Sequence, residues 1–165
     1  MKKLFFCLFL SVLTFQVSAQ NYQLHAVYMY QFTKYIKWPA SGSSEFVIGV
    51  LGDTPAIEYL DKMAQTKKAG SKDIVIKKFK SLSGVTKTDM LFVGKEADAE
   101  LSNIINKVKG QNTLLITEEE GFGLEGSNIN FVERNGRLVF ELNQKAMERE
   151  SLKVSAELAK LAIVI

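Results

Sequence analysis

The chain has 165 residues, with 21 lysines and arginines against 18 aspartates and glutamates, one histidine and one cysteine. That length suits one domain with its own core. The near balance of charge leaves no field to recruit nucleic acid or an anionic surface, and a single cysteine excludes a disulfide framework or a cluster of thiolate metal ligands.

The N-terminus reads MKKLFFCLFLSVLTFQVSAQ. Lys2 and Lys3 form a positive start, Leu4 to Phe15 an apolar run, and Val17-Ser18-Ala19 a small-residue cleavage site. This pattern predicts a secretory signal peptide over 1–19, cut between Ala19 and Gln20, and a single domain over 20–165. The apolar run is shorter than the roughly 18 to 20 residues a bilayer span requires. Cys7 lies inside it, whereas a lipid-accepting cysteine would end it. The mature domain then has no cysteine and is held by burial alone.

Residues 21–37 carry Leu24, Val27, Tyr28, Phe32, Tyr35 and Ile36 at helical spacing, and Trp38-Pro39 ends the helix because a residue before proline leaves the α region. Glu45 to Leu51 is a near-continuous apolar run, as in a strand covered on both faces. Thr54 as cap and Pro55 as first helical residue open a helix to residue 66. Ile74 to Lys78, Met90 to Val93 and Thr113 to Thr117 read as further strands. A helix over 97–109 with Leu101, Ile104, Ile105 and Val108 on one side separates the last two.

Asn135-Gly136 is the dipeptide of a type I′ turn. It sets Phe131 opposite Phe140, Ile129 opposite Leu142 and Glu133 opposite Leu138 on one face, and Val132 with Val139, Asn130 with Glu141 and Arg134 with Arg137 on the other. Residues 143–150 and 151–163 read as two helices, the second with Val154, Leu158, Leu161, Ala162 and Ile165 on a face able to cover the hairpin. The alternation predicts a single-domain α/β fold: a mixed sheet, mostly parallel, with the antiparallel hairpin at one edge and helices on both faces.

Few residues suggest chemistry. His25 lacks partners for a metal cluster and is expected to be structural or at the surface, partly exposed. The turn Gly52-Asp53-Thr54, between a strand and a helix N-terminus, is the candidate anion or ligand site, although neither G-x-G-x-x-G nor a P-loop is present. Glu118-Glu119-Glu120 lacks calcium-loop spacing. Asp53 and Glu118 both follow strands and are expected near one sheet edge. No nucleophile–base pair or metal set emerges, so neither an enzyme nor a cofactor is expected. Tyr22, Tyr30 and Trp38 exceed what the core of the first helix needs and are the candidate protein interface.

Four blocks together resemble the YfiR-like family (DUF4154) of secreted bacterial proteins. They are AVYMYQFTKYIKWP (26–39), FVIGVLGD (46–53), NINFV (128–132) with GRLVFELN (136–143), and LKVSAELAKLA (152–162). The resemblance implies a periplasmic, non-enzymatic regulator. It would bind the sensor domain of an inner-membrane signalling protein, of diguanylate cyclase type, and repress it, thereby controlling cyclic-di-GMP and biofilm. An OmpA-like outer-membrane lipoprotein would relieve that repression, and a homodimer is expected. Close members carry a cysteine before the third strand where this chain has Thr88-Asp89, so redox control through it is lost. The alternative is a periplasmic receptor for a small anion or nucleotide, feeding a histidine kinase.

Overall fold

The computed structural model describes residues 22–165. The expected leader and the Ala19–Gln20 junction lie outside the described residues.

Helix α1 spans 22–35 and passes into the short strand β1 (Ile36–Lys37). There follow β2 (Glu45–Leu51), α2 (Ala56–Thr66), β3 (Lys68–Ala69), β4 (Lys72–Phe79), β5 (Met90–Val93), α3 (Leu101–Val108), β6 (Leu114–Thr117), β7 (Ile129–Arg134) and β8 (Arg137–Leu142). The chain closes with α4 (Gln144–Arg149), β9 (Lys153–Val154), α5 (Ala156–Leu161) and β10 (Ile163–Val164).

Eight strands form one sheet in the order β10-β8-β7-β6-β5-β2-β4-β3. The run β7-β6-β5-β2-β4 is parallel throughout, and antiparallel pairs join β7 to β8 and β3 to β4. Strands buried on both faces explain the apolar runs of β5 and β6, in which all four residues of each are buried. One face packs on α1 and α2 through Met29, Phe32, Ala56 and Leu60. The other packs on α3 through Leu101, Ile104 and Val108. Helices therefore cover both faces, as the alternation predicts.

All six expected hairpin pairs form, from Ile129–Leu142 to Arg134–Arg137. Asn135 at φ 54° and Gly136 at φ 70° supply the two left-handed residues of the turn. The hairpin is not the sheet's edge, however, because β10 pairs in parallel outside β8.

Its apolar face is covered by α1, not by the C-terminal segment. Phe32 sits edge-on to Phe140 with ring centroids 5.2 Å apart and stacks on Phe131 at 6.1 Å, and Tyr28 lies 5.5 Å from Phe140. Burying each such ring contributes about 1.5–3 kcal/mol, and each ring pair about 0.5–1.5 kcal/mol more.

The expected helix over 151–163 breaks into β9, α5 and β10. Ser151 takes a left-handed φ of 55°. The Ser151 N–H donates to Glu148 O and the Leu152 N–H to Met147 O, the two bonds of a Schellman closure of α4. Lys153–Val154 then pairs antiparallel with Ile36–Lys37. Ser155 caps α5, its Oγ accepting the Leu158 N–H at 3.2 Å. Of the predicted apolar face only Leu158 is fully buried, while Leu161 is exposed. The first helix likewise stops at residue 35 because Ile36 and Lys37 are taken into that strand pair. At α2, Pro55 is the cap residue itself and Thr54 Oγ1 accepts the Ala56 N–H.

Candidate functional site

Parallel strands end on one side of the sheet, so β2, β5 and β6 deliver the residues that follow them to a common edge. These are Thr54 after β2, Lys95 after β5 and Glu118 after β6. The first turn of α1 runs over the same edge and adds Tyr22 and His25. Of these, Tyr22, His25, Lys95 and Glu118 border a cavity of about 320 Å³, lined also by Phe131 and Leu138 of the hairpin and by the exposed Glu119 and Glu133.

Glu118 is the centre of this group and is buried. Its Oε1 accepts the backbone N–H of Lys95 at 3.1 Å, and its Oε2 lies 3.3 Å from His25 Nε2. The imidazole packs edge-on against Phe131 with centroids 4.3 Å apart and lies 5.2 Å from the Tyr22 ring. Burial raises the Tyr22 phenol above its usual pKa, the Glu118 charge adds to the rise, and the Thr54 hydroxyl opposes it. The expectation of a partly exposed His25 is corrected: the helix turns it inward onto the hairpin.

A second polar network fastens the loop that carries the three glutamates. Thr117 Oγ1 donates to Asn130 Oδ1 at 2.8 Å, and Asn130 Nδ2 donates to Glu119 O at 2.9 Å and Glu141 Oε2 at 3.0 Å. Arg134 forks both oxygens of Glu120 at 2.9 and 3.2 Å and also reaches Glu141. The fork holds the Glu120 carboxyl below its ordinary pKa, chiefly by hydrogen bonding. Buried polar groups satisfied in this way give the edge a fixed shape.

The rim carboxylates can accept an N–H or ammonium group, and Phe131 offers an apolar wall beside them. Hydrolytic or transfer chemistry would need a nucleophile within reach of the His25–Glu118 pair. Among the described residues no group of three or more His, Cys, Asp and Glu could hold a metal ion, and no helix is long and apolar enough to cross a membrane.

The residues singled out in the sequence are dispersed. Gly52, at φ 88°, lies under the turn after β5, and a Cβ there would sit 3.0 Å from the Ala97 backbone. That turn packs closely on Gly52. Thr54 is buried against Gly94 and Asp53 is exposed, and both line a separate groove with Glu58, Asp61 and Lys78. Asp53 and Glu118 thus line different pockets. Tyr22 borders the cavity, and Trp38 packs on Phe46 at 4.9 Å while donating to Asp89 O. Tyr30 lies in a groove between α1 and α2. The three aromatics thus line no common pocket. Lys95 escaped the sequence reading, although its place directly after an apolar strand is the same signal that marked Glu118.

The fold and this edge define a class: a mixed α/β fold with a polar cavity at the carboxyl ends of its parallel strands. Solved structures share the fold at low identity. A conserved domain protein from Vibrio cholerae O1 biovar El Tor superposes with a TM-score of 0.59 at 12% identity, over 87% of this chain and 59% of that one. An ABC domain in complex with L-Trp from Streptococcus pneumoniae superposes with a TM-score of 0.56 at 10% identity, over 82% and 59%. The chain spans about three-fifths of the length of each. No protein of curated function matches it. The family model described as DUF4154, YfiR/HmsC-like, matches residues 22–163, and the chain belongs to that family. Its members are periplasmic regulators of cyclic-di-GMP signalling.

Proposed function

We propose that this protein is secreted to the periplasm, binds the sensor domain of an inner-membrane signalling protein of diguanylate cyclase type, and represses it. The observation that carries this reading is a family match running through nearly the whole described chain. Repression works by population shift: the regulator binds the inactive arrangement of the sensor more tightly, so the active arrangement is depleted. An OmpA-like outer-membrane lipoprotein that competes for the regulator would relieve it, and the working form is a homodimer. The role is stoichiometric binding, not turnover. Affinity capture from solubilised envelopes tests it: recovery of a membrane sensor is expected, and its absence from captures at low and moderate salt contradicts it.

A second reading, a periplasmic small-ligand receptor feeding a histidine kinase, is favoured by the cavity around His25 and Glu118. It sits at the carboxyl ends of parallel strands, where such sheets place ligands, and its volume of about 320 Å³ is large enough for a small molecule. The expected Gly52-Asp53-Thr54 turn gives this reading less support than the cavity does. A ligand that raises the melting temperature of the wild type but not of Glu118→Gln would support it.

A further inference from the structure

Helices α1 and α2 lie side by side on the sheet and leave a groove of about 310 Å³ between them. Its floor and walls are mostly apolar and aromatic: Ala26, Val27, Tyr30, Tyr59 and Met63. Lys62 and Lys67 stand at its rim. Lys34 adds a third cation, with Nζ 4.4 Å from the centre of the Tyr30 ring, and Lys67 approaches the same ring at 5.8 Å. Lys62 is paired with Glu58 at 2.7 Å. Among the described residues, neither Lys34 nor Lys67 is paired with a carboxylate.

The apolar surface continues beyond the groove. Leu24 and Val27 are 40% and 48% exposed and Tyr35 is 38% exposed. Positions 24, 27 and 35 fall on one stripe of a helix. An apolar stripe bordering an apolar groove, rimmed by cations, is the composition of a docking surface rather than of a solvated helix face.

We propose that the α1–α2 groove receives an acidic amphipathic helix or peptide segment of the membrane sensor. Its apolar residues would lie on Tyr30, Tyr59 and Met63, and its carboxylates would face Lys34, Lys62 and Lys67. This rests on the regulator reading and adds the surface and the chemistry of the partner.

Two features select the occupant. Two helices flanking a groove present ridges that accept a further helix by its i, i+3 and i+4 anchors, and the unpaired lysines favour carboxylates beside those anchors. The exposed Glu119 and Glu133 around the cavity at the sheet edge disfavour the same acidic segment there, which directs it to the groove. A bilayer is the poorer fit. Three lysines fall short of the clusters of roughly four to eight cations that hold a protein to an anionic membrane.

The test is site-specific photocrosslinking in the native host, using the full chain with its leader. A benzoylphenylalanine replaces Val27, or Leu161, or Glu119. An adduct between position 27 and a membrane sensor is expected, together with an approximately tenfold fall in its yield when Lys34→Glu and Lys67→Glu are combined. Lys34→Gln with Lys67→Gln should give a smaller fall, and an exposed control, Lys160→Glu, none. Circular dichroism confirms that each variant is folded. Sensor adducts from position 161 or 119 but not from 27 would overturn the groove while leaving the regulator reading intact. Adducts at 27 with phospholipid alone, or with a second copy of this chain alone, would also overturn it. If no position reaches a sensor and deletion leaves cyclic-di-GMP unchanged, the regulator reading fails and the groove proposal with it.

Discussion

His25 Nε2 lies 3.3 Å from Glu118 Oε2, and both side chains are about 95% buried. This contact ties the start of α1 to the loop after β6, and Glu118 extends the tie to the turn after β5 through the Lys95 N–H. Glu118→Ala should destabilise the fold by about 1–3 kcal/mol, since it strands buried donors. Glu118→Gln keeps an acceptor for the Lys95 N–H and should lose less. Urea unfolding monitored at the single tryptophan distinguishes the two.

Tyr22 reports on the same cluster. Its phenol is raised by burial first and by the Glu118 charge second. A raised folded pKa means that the native state holds the proton longer than the unfolded chain does. The associated stability is therefore intact below the ordinary phenol pKa and is lost as pH climbs through the folded value. Phenolate absorbance, compared with that of Tyr22→Phe, should show Tyr22 titrating late, and Glu118→Gln should bring it back toward the usual range. Tyr22→Phe should flatten the corresponding alkaline loss of stability.

The aromatic cover of the hairpin anchors α1 through Phe32. Phe32 is fully buried between Phe131 and Phe140. Phe32→Ala should cost about 3–5 kcal/mol through lost burial and a residual cavity. Leu161→Ala, at a position 69% exposed, should stay within about 0.5 kcal/mol. Thermal denaturation of the two variants tests whether α1, rather than the C-terminal segment, covers the hairpin.

Glu150 is fully buried, and its Oε1 accepts from the Gly110 N–H and from Arg149 Nε, both at 3.2 Å. Arg149 also donates to Gly126 O at 3.1 Å. Arg149→Ala removes a charge-assisted donor from a buried carboxylate and should cost about 1–3 kcal/mol. Chemical denaturation measures the loss. A neutral result would mean that the Arg149 contacts do not stabilise the native state.

Local chemistry explains which parts of the fold were readable in the sequence. Asn135-Gly136 permits one turn, and that turn sets the register of all six hairpin pairs. Met90–Val93 was readable as a strand because a short apolar run between polar flanks has few other uses in an α/β domain. The C-terminal helix was misread because its stop signal is a serine. Ser151 takes the left-handed position that glycine usually marks, and helical periodicity ran on past it.

The cover of the hairpin was illegible for another reason. Two segments carried apolar faces of similar width, and local pattern does not say which is nearer. Half the site was legible: Glu118 was placed at a strand end, but its contact with His25 depends on how α1 crosses the sheet. The Gly52-Asp53-Thr54 turn had the local features of an anion site, and only the tertiary fold shows that Ala97 packs on Gly52.

The central claim is that this protein restrains a cyclic-di-GMP-producing sensor from the periplasmic side. Cellular cyclic-di-GMP, measured in the wild type, in a deletion strain and in the deletion strain complemented with the full chain, tests it most directly. The account predicts a rise on deletion and a return on complementation, whereas a copy without residues 1–19 should not restore it. Equal cyclic-di-GMP in all strains would contradict the account.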